Sequence, residues 1–124
     1  MYHLFLDDER MPQQVTWVAL PYMEKSEPNA YWHIVRSYNE FVDCIQSKGL
    51  PSFISFDHDL GDVGENEKSG FSCAKWLVDY CLDNNVFCPE FQVHSKNPQG
   101  ASNISGLLMG FQQFQTTKKY KVKP

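Results

Sequence analysis

Four short apolar runs punctuate the chain, and each stops at a polar cluster. They are Tyr2–Leu6, Tyr31–Val35, Phe53–Phe56 and Phe91–His94. Runs of this length, rich in aromatic and β-branched side chains and bounded by turn residues, predict strands. Elsewhere apolar positions recur at helical spacing. Tyr38, Phe41, Val42 and Ile45 fall at i, i+3, i+4 and i+7; Ser37 with Glu40 forms a capping-box start, and Gly49 with Pro51 a stop. Ala74, Leu77, Val78 and Cys81 line a second helix, flanked by Trp76 and Tyr80 and ending at Asn84-Asn85. Ile104, Leu107, Leu108 and Phe111 line a third, which Phe114 extends. Its Gly106 and Gly110 weaken it by up to about 1 kcal/mol each. Residues 12–30, interrupted by Pro12, Pro21 and Pro28, are expected to be mostly irregular.

This order predicts an α/β domain of three layers, with a largely parallel sheet of about four strands and three main helices. Right-handed crossovers bring the carboxyl ends of parallel strands to one edge, where such folds bind ligands. At that edge the chain places Asp7, Asp8, Glu9 and Arg10, then Arg36 and Ser37, then Asp57, His58 and Asp59, then His94, Ser95, Lys96 and Asn97.

If the strands are neighbours, Asp7, Asp8, Asp57 and Asp59 crowd together. Like charges a few ångström apart repel by about 1–4 kcal/mol per pair. A divalent cation with oxygen ligands, Mg²⁺ or Mn²⁺, is the simplest compensation, and protonation of one acid is the alternative. The bland reading is that such acids merely open surface loops. Two clusters at two strand ends favour a metal. His58 and His94 are candidate proton carriers, against a structural role for each; His3 and His33 are read as packing or surface residues. The start of the third helix, with Ser95, Asn97, Gly100 and Asn103, offers backbone N–H groups and polar side chains to a phosphate, helped by Arg10, Arg36 and Lys96. A Ser95–His94 nucleophile pair lacks the G-x-S-x-G elbow. The run from Asp57 to Lys68 imitates a calcium loop but has Asp62 and Lys68 where glycine and glutamate are required.

Composition sharpens this picture. The 124 residues suit one domain spanning 1–124, with residues 118–124 as a basic tail. Net charge is −4, and without that tail 15 acids face 7 bases. An acidic body argues against a nucleic-acid-coating role. The tail is read as a solvated terminus, with contact to RNA as the alternative. Cys44, Cys73, Cys81 and Cys88 form no C-x-x-C pair and are expected to be reduced core residues. The chain opens without a basic segment followed by an apolar one, and no run approaches a membrane span; a cytoplasmic protein with no membrane partner is expected.

Leu4-Phe5-Leu6-Asp7-Asp8-Glu9-Arg10 with Pro12, Val35-Arg36, Ile54 to Gly61, Ser69-Gly70, Trp76-Leu77, and Val93-His94-Ser95 with Asn97, Pro98, Gly100, Asn103 and Ile104 together resemble the cyclic-phosphate-processing receiver-like family. The resemblance implies a receiver-like, flavodoxin-type fold. It implies Mg²⁺ bound by Asp7, Asp8 and Asp57, with Ser95 matching the hydroxyl after the fourth strand. The chain lacks an evident fifth strand with its lysine and a convincing first helix. It adds His58, Asp59, His94 and Asn97, which favours a catalytic or ligand-binding site over phosphorelay. The resemblance implies a metal-dependent phosphoesterase acting on RNA 2′,3′-cyclic ends or cyclic nucleotides. Asp59 then serves as a ligand or stands behind one, and His94, His58, Asp57 and Ser95 form the catalytic group. A phosphoacceptor at Asp57 and a non-catalytic nucleotide-binding module are the alternatives.

Overall fold

The computed structural model describes residues 2–23, 32–61 and 68–122, with side chains through Lys118. The elements are β1 (His3–Leu6), a 3-10 turn (Pro12–Gln14), β2 (Trp32–Val35), α1 (Tyr38–Lys48), β3 (Phe53–Phe56), α2 (Gly70–Asn84), β4 (Glu90–Val93) and α3 (Pro98–Val122). All strand pairs are parallel, in the order β2-β1-β3-β4. The order and type of the elements agree with a receiver-like α/β fold. Strand ends differ from the sequence expectation by one residue, with Glu90 gained and Tyr2 and His94 left outside; Tyr31 lies outside the described residues.

Register explains the layering. Leu6 lies level with Val35 and Phe56, and Phe56 with Val93, so alternate residues share a face. Leu4, Leu6, Val35, Ile54 and Phe56 form the face that packs against Phe41 and Ile45 of α1, Leu77 and Cys81 of α2, and Ile104 and Leu108 of α3. The other face presents Phe5, Trp32 and Phe53 to Val15, Trp17, Val18 and Leu20. All three helices therefore pack on one side, and the described part of the third layer is irregular chain with one 3-10 turn. Handedness is the reason. The β1-to-β2 connection runs across the sheet in the opposite sense to the later ones, so a right-handed path puts it on the opposite face. Apart from the 3-10 turn, the described part of residues 12–30 is irregular, and residues 24–31 lie outside the described chain.

The helix boundaries follow local chemistry. Ser37 Oγ accepts the N–H of Glu40 at 3.1 Å, as the capping signal predicts. The Glu40 carboxylate, however, reaches back to the N–H of Arg36 rather than Ser37. Ser69 and Ser72 cap α2 reciprocally, and Asn85 closes it in the left-handed conformation. Helix α3 runs on through Val122, into the stretch read as a tail, because no glycine or proline interrupts residues 111–123. All four cysteines are free and buried. Among the described residues no helix is long and apolar enough to cross a membrane.

Candidate functional site

The sheet ladder continues one residue past the strand ends. Asp7 N–H donates to Val35 O (3.1 Å), Asp57 N–H to Leu6 O (2.9 Å) and His94 N–H to Phe56 O (2.9 Å). Asp7, Asp57 and His94 therefore form one row across β1, β3 and β4. Alternation puts them on the same face as Phe5 and Ser55, the face covered by irregular chain. All three are buried, and one ligand atom from each lies within 4.8 Å of the other two.

Each member of the row is tied down. His94 Nε2 lies 3.0 Å from Asp7 Oδ2, and its Nδ1 lies 2.7 Å from Ser55 Oγ. The imidazole stacks on Phe5, with centroids 4.6 Å apart and planes 3° from parallel. The His94 carbonyl accepts the Trp17 indole N–H at 2.6 Å. Asp7 Oδ1 accepts the N–H groups of Glu9 (3.0 Å) and Arg10 (2.8 Å). Burial pushes the Asp7 carboxyl up, but the bond from His94 and these two N–H groups outweigh it and hold it down at about 2. Asp57 is 4% exposed and accepts only the N–H of His58, at 2.9 Å, among described partners. Burial, and then the charge of Asp7, push its carboxyl up to about 6. The row thus separates two carboxyls that are chemically alike.

Asp8 and Asp59 are not part of that converging group. Asp8 lies against Gly61, and burial followed by the charges of Asp7 and Glu9 raises its carboxyl. Asp59, with its side chain 68% exposed, turns to His58 Nδ1 (2.8 Å) and Asn97 Nδ2 (3.3 Å). The bond from His58 lowers its carboxyl. Of the acids expected to hold a metal, Asp7 and Asp57 converge, and among the described residues the third member of their group is His94. The pairing register puts His94, not Ser95, level with Asp57.

Several expected phosphate contacts are already committed. Arg36 donates to the carbonyls of Asp7 (3.2 Å) and Arg10 (2.6 Å), which shapes the turn after β1. Ser95 Oγ accepts the N–H of Asn97, and Asn97 Oδ1 accepts that of Gly100 at 3.0 Å, so the start of α3 is capped from within. Asn103 is exposed and bonded to Gln99. Arg10 is committed as well, its guanidinium 3.4 Å from Asp7 Oδ2, and with Lys96 it converges on Trp17, at 5.0 and 4.3 Å from the ring centroid.

Two glycines let helices approach Asp57 of the row and its neighbour His58. A Cβ at Gly70 would overlap the backbone of Asp57, and one at Gly100 would overlap the His58 ring. Gly70 N–H also donates to His58 O at 2.6 Å. The sequence reading missed Ser55 and Trp17. Ser55 had a signal, a hydroxyl inside the otherwise apolar strand Phe53–Phe56. Trp17 had none, because residues 12–30 carry no period.

A family model described as the Cyclic-phosphate processing Receiver domain matches residues 2–110. No curated protein and no solved structure matches the chain.

Proposed function

The chain belongs to the cyclic-phosphate processing receiver domain family, and on that premise we propose that the row of Asp7, Asp57 and His94 holds a divalent cation on which a cyclic phosphate is bound and hydrolysed. The carrying observation is the convergence of two buried carboxylates and an imidazole from three adjacent strand ends. The donor set fits a cation, Mg²⁺ or Mn²⁺: the two buried carboxylates repel, and although Arg10 pairs with Asp7 at 3.4 Å, Asp57 has no ion pair among the described residues. When bound, the ion would polarise the phosphoryl group and activate water.

The remaining roles follow from the side chains. Arg10 and Lys96, gathered by Trp17, supply positive charge beside the row for phosphate oxygens. In the hydrolysis water adds to phosphorus, one ring P–O bond breaks, and the departing oxygen takes up a proton. His58 is the carrier for that proton. Its Nδ1 is engaged by Asp59, which leaves Nε2 for exchange, and its side chain is 20% exposed. His94, fully buried, belongs with Asp7 and Asp57 to the set that holds the cation and is not the proton carrier. The substrate is a cyclic nucleotide or an RNA 2′,3′-cyclic end.

The test is turnover of 2′,3′- and 3′,5′-cyclic mononucleotides and of a cyclic-ended oligoribonucleotide, with Mg²⁺ or Mn²⁺. The expected product is a phosphomonoester, with loss of at least about 100-fold in Asp57→Asn. Neither binding nor turnover across this panel overturns the proposal. Calorimetric binding with the ligand recovered intact reassigns the site to sequestration, and a base-labile mass gain on Asp57 after a small phosphodonor reassigns it to phosphoacceptance.

A further inference from the structure

We propose that this pocket selects a borderline transition-metal ion of the Mn²⁺, Co²⁺ or Zn²⁺ class over Mg²⁺, with His94 Nε2 as a ligand and Ser55 as the residue that sets the ring. This deepens the reading of Asp7, Asp57 and His94 as a cation site and rests on it.

Three observations carry the choice. The first is the donor set. Mg²⁺ favours oxygen ligands and retained waters, whereas imidazole favours the later divalent ions. Asp8 and Asp59 are not among the three side chains whose ligand atoms converge, and β4 delivers a nitrogen to that group.

The second is distance. Two donors bound cis to one ion at about 2.1 Å are about 3.0 Å apart. His94 Nε2 and Asp7 Oδ2 are 3.0 Å apart. In the metal-free chain a proton on Nε2 occupies the gap as a hydrogen bond. The separation suits two donors of one ion once the Nε2 proton has left and the ring and carboxylate have turned their lone pairs to it.

The third is Ser55. Its hydroxyl is fully buried between the apolar residues Ile54 and Phe56, where an unmet polar group is costly. It lies 2.7 Å from His94 Nδ1. A hydroxyl can donate or accept. While Nε2 carries the proton, Ser55 donates to Nδ1. When Nε2 offers its lone pair to a metal, the ring proton sits on Nδ1 and Ser55 accepts it. Ser55 thus serves both tautomers without moving, and the Phe5 stack keeps the ring plane in place. Metal-bound histidines are held by such a bond through their second nitrogen.

The experiment uses the full chain, stripped of metal by a chelator. Calorimetry with MnCl₂ and MgCl₂ should give at least about 10-fold tighter binding of Mn²⁺. Pulsed electron paramagnetic resonance of the Mn²⁺-loaded chain should show coupling to a ¹⁴N nucleus, absent from His94→Gln. Ser55→Ala should weaken Mn²⁺ binding by about 10-fold or more while changing Mg²⁺ binding less. Circular dichroism reports whether each variant folds; should His94→Gln fail to fold, the ¹⁴N coupling in the unaltered chain decides alone. Bound Mn²⁺ without ¹⁴N coupling, or equal affinity for the two ions, overturns the inference and leaves the proposed function standing. Absence of any metal binding overturns both. Nitrogen-bound Mn²⁺ with no interaction with cyclic phosphates supports this inference and overturns only the function.

Discussion

Asp57 concentrates the electrostatics of the site in one side chain. Its carboxyl titrates near 6 in the folded chain against 3.8 unperturbed. Below about pH 4 it is protonated in both folded and unfolded chains and costs nothing. Between those two values the folded chain holds the extra proton, so stability falls as pH rises, and above 6 the loss is complete. Asp7 acts in the opposite sense: its contribution is present above 3.8 and fades as pH falls through about 2. Metal-free Asp57→Asn should therefore be more stable than the unaltered chain at pH 7.5, by on the order of 2 kcal/mol, with the gap closing by pH 4. Chemical denaturation at the two pH values checks this. An equal gap at both would show that the carboxyl is not strained by burial. Asp7 and Asp57 were legible as site residues because each directly follows an apolar run. The part of His94 as their neighbour was not, since His94 and Ser95 are adjacent in sequence and only the pairing register with β3 decides which lies level with Asp57.

At the scale of the element, the site depends on helix starts fitted closely beneath strand ends. Helix α2 begins at Gly70, whose missing side chain leaves room for the Asp57 carbonyl. Gly70→Ala forces either helix or strand end to shift, at about 1–3 kcal/mol. It should also weaken Mn²⁺ binding, because Asp57 moves with its backbone. Thermal melts and calorimetry measure the two effects, and an unchanged melt would mean that the helix moves freely there. Capping at Ser37 was legible from spacing alone. The start of α2 was not, because its first apolar period begins at Ala74, a full turn after Ser69. Helix α3 continues through Val122 into the lysine-rich stretch expected to be a tail, since polar residues without glycine or proline extend a packed helix readily.

For the whole molecule, the unusual feature is a sheet whose second face meets, among the described residues, irregular chain from Val15 to Leu20. Trp17 joins that cover to the site: its ring packs with the Phe5 cluster, its N–H holds the His94 carbonyl, and Arg10 and Lys96 lie against it. Trp17→Leu should weaken binding of a cyclic nucleotide by about 10-fold through loss of both cations' support. Trp17→Phe should keep most of it, since the aromatic face remains. Calorimetry on both variants checks this, and equal binding by both would remove Trp17 from the site. The amino-acid sequence by itself determined the strands, the helices, their order and the strand ends that bear acids. These rest on period, capping and turn chemistry, which act over a few residues. Only the three-dimensional arrangement brings Asp7 and Asp57 together, adds His94 and Ser55, and sets the Trp17 indole on the His94 carbonyl. Register between distant strands and the handedness of the crossovers set those contacts, and neither leaves a local pattern in the chain.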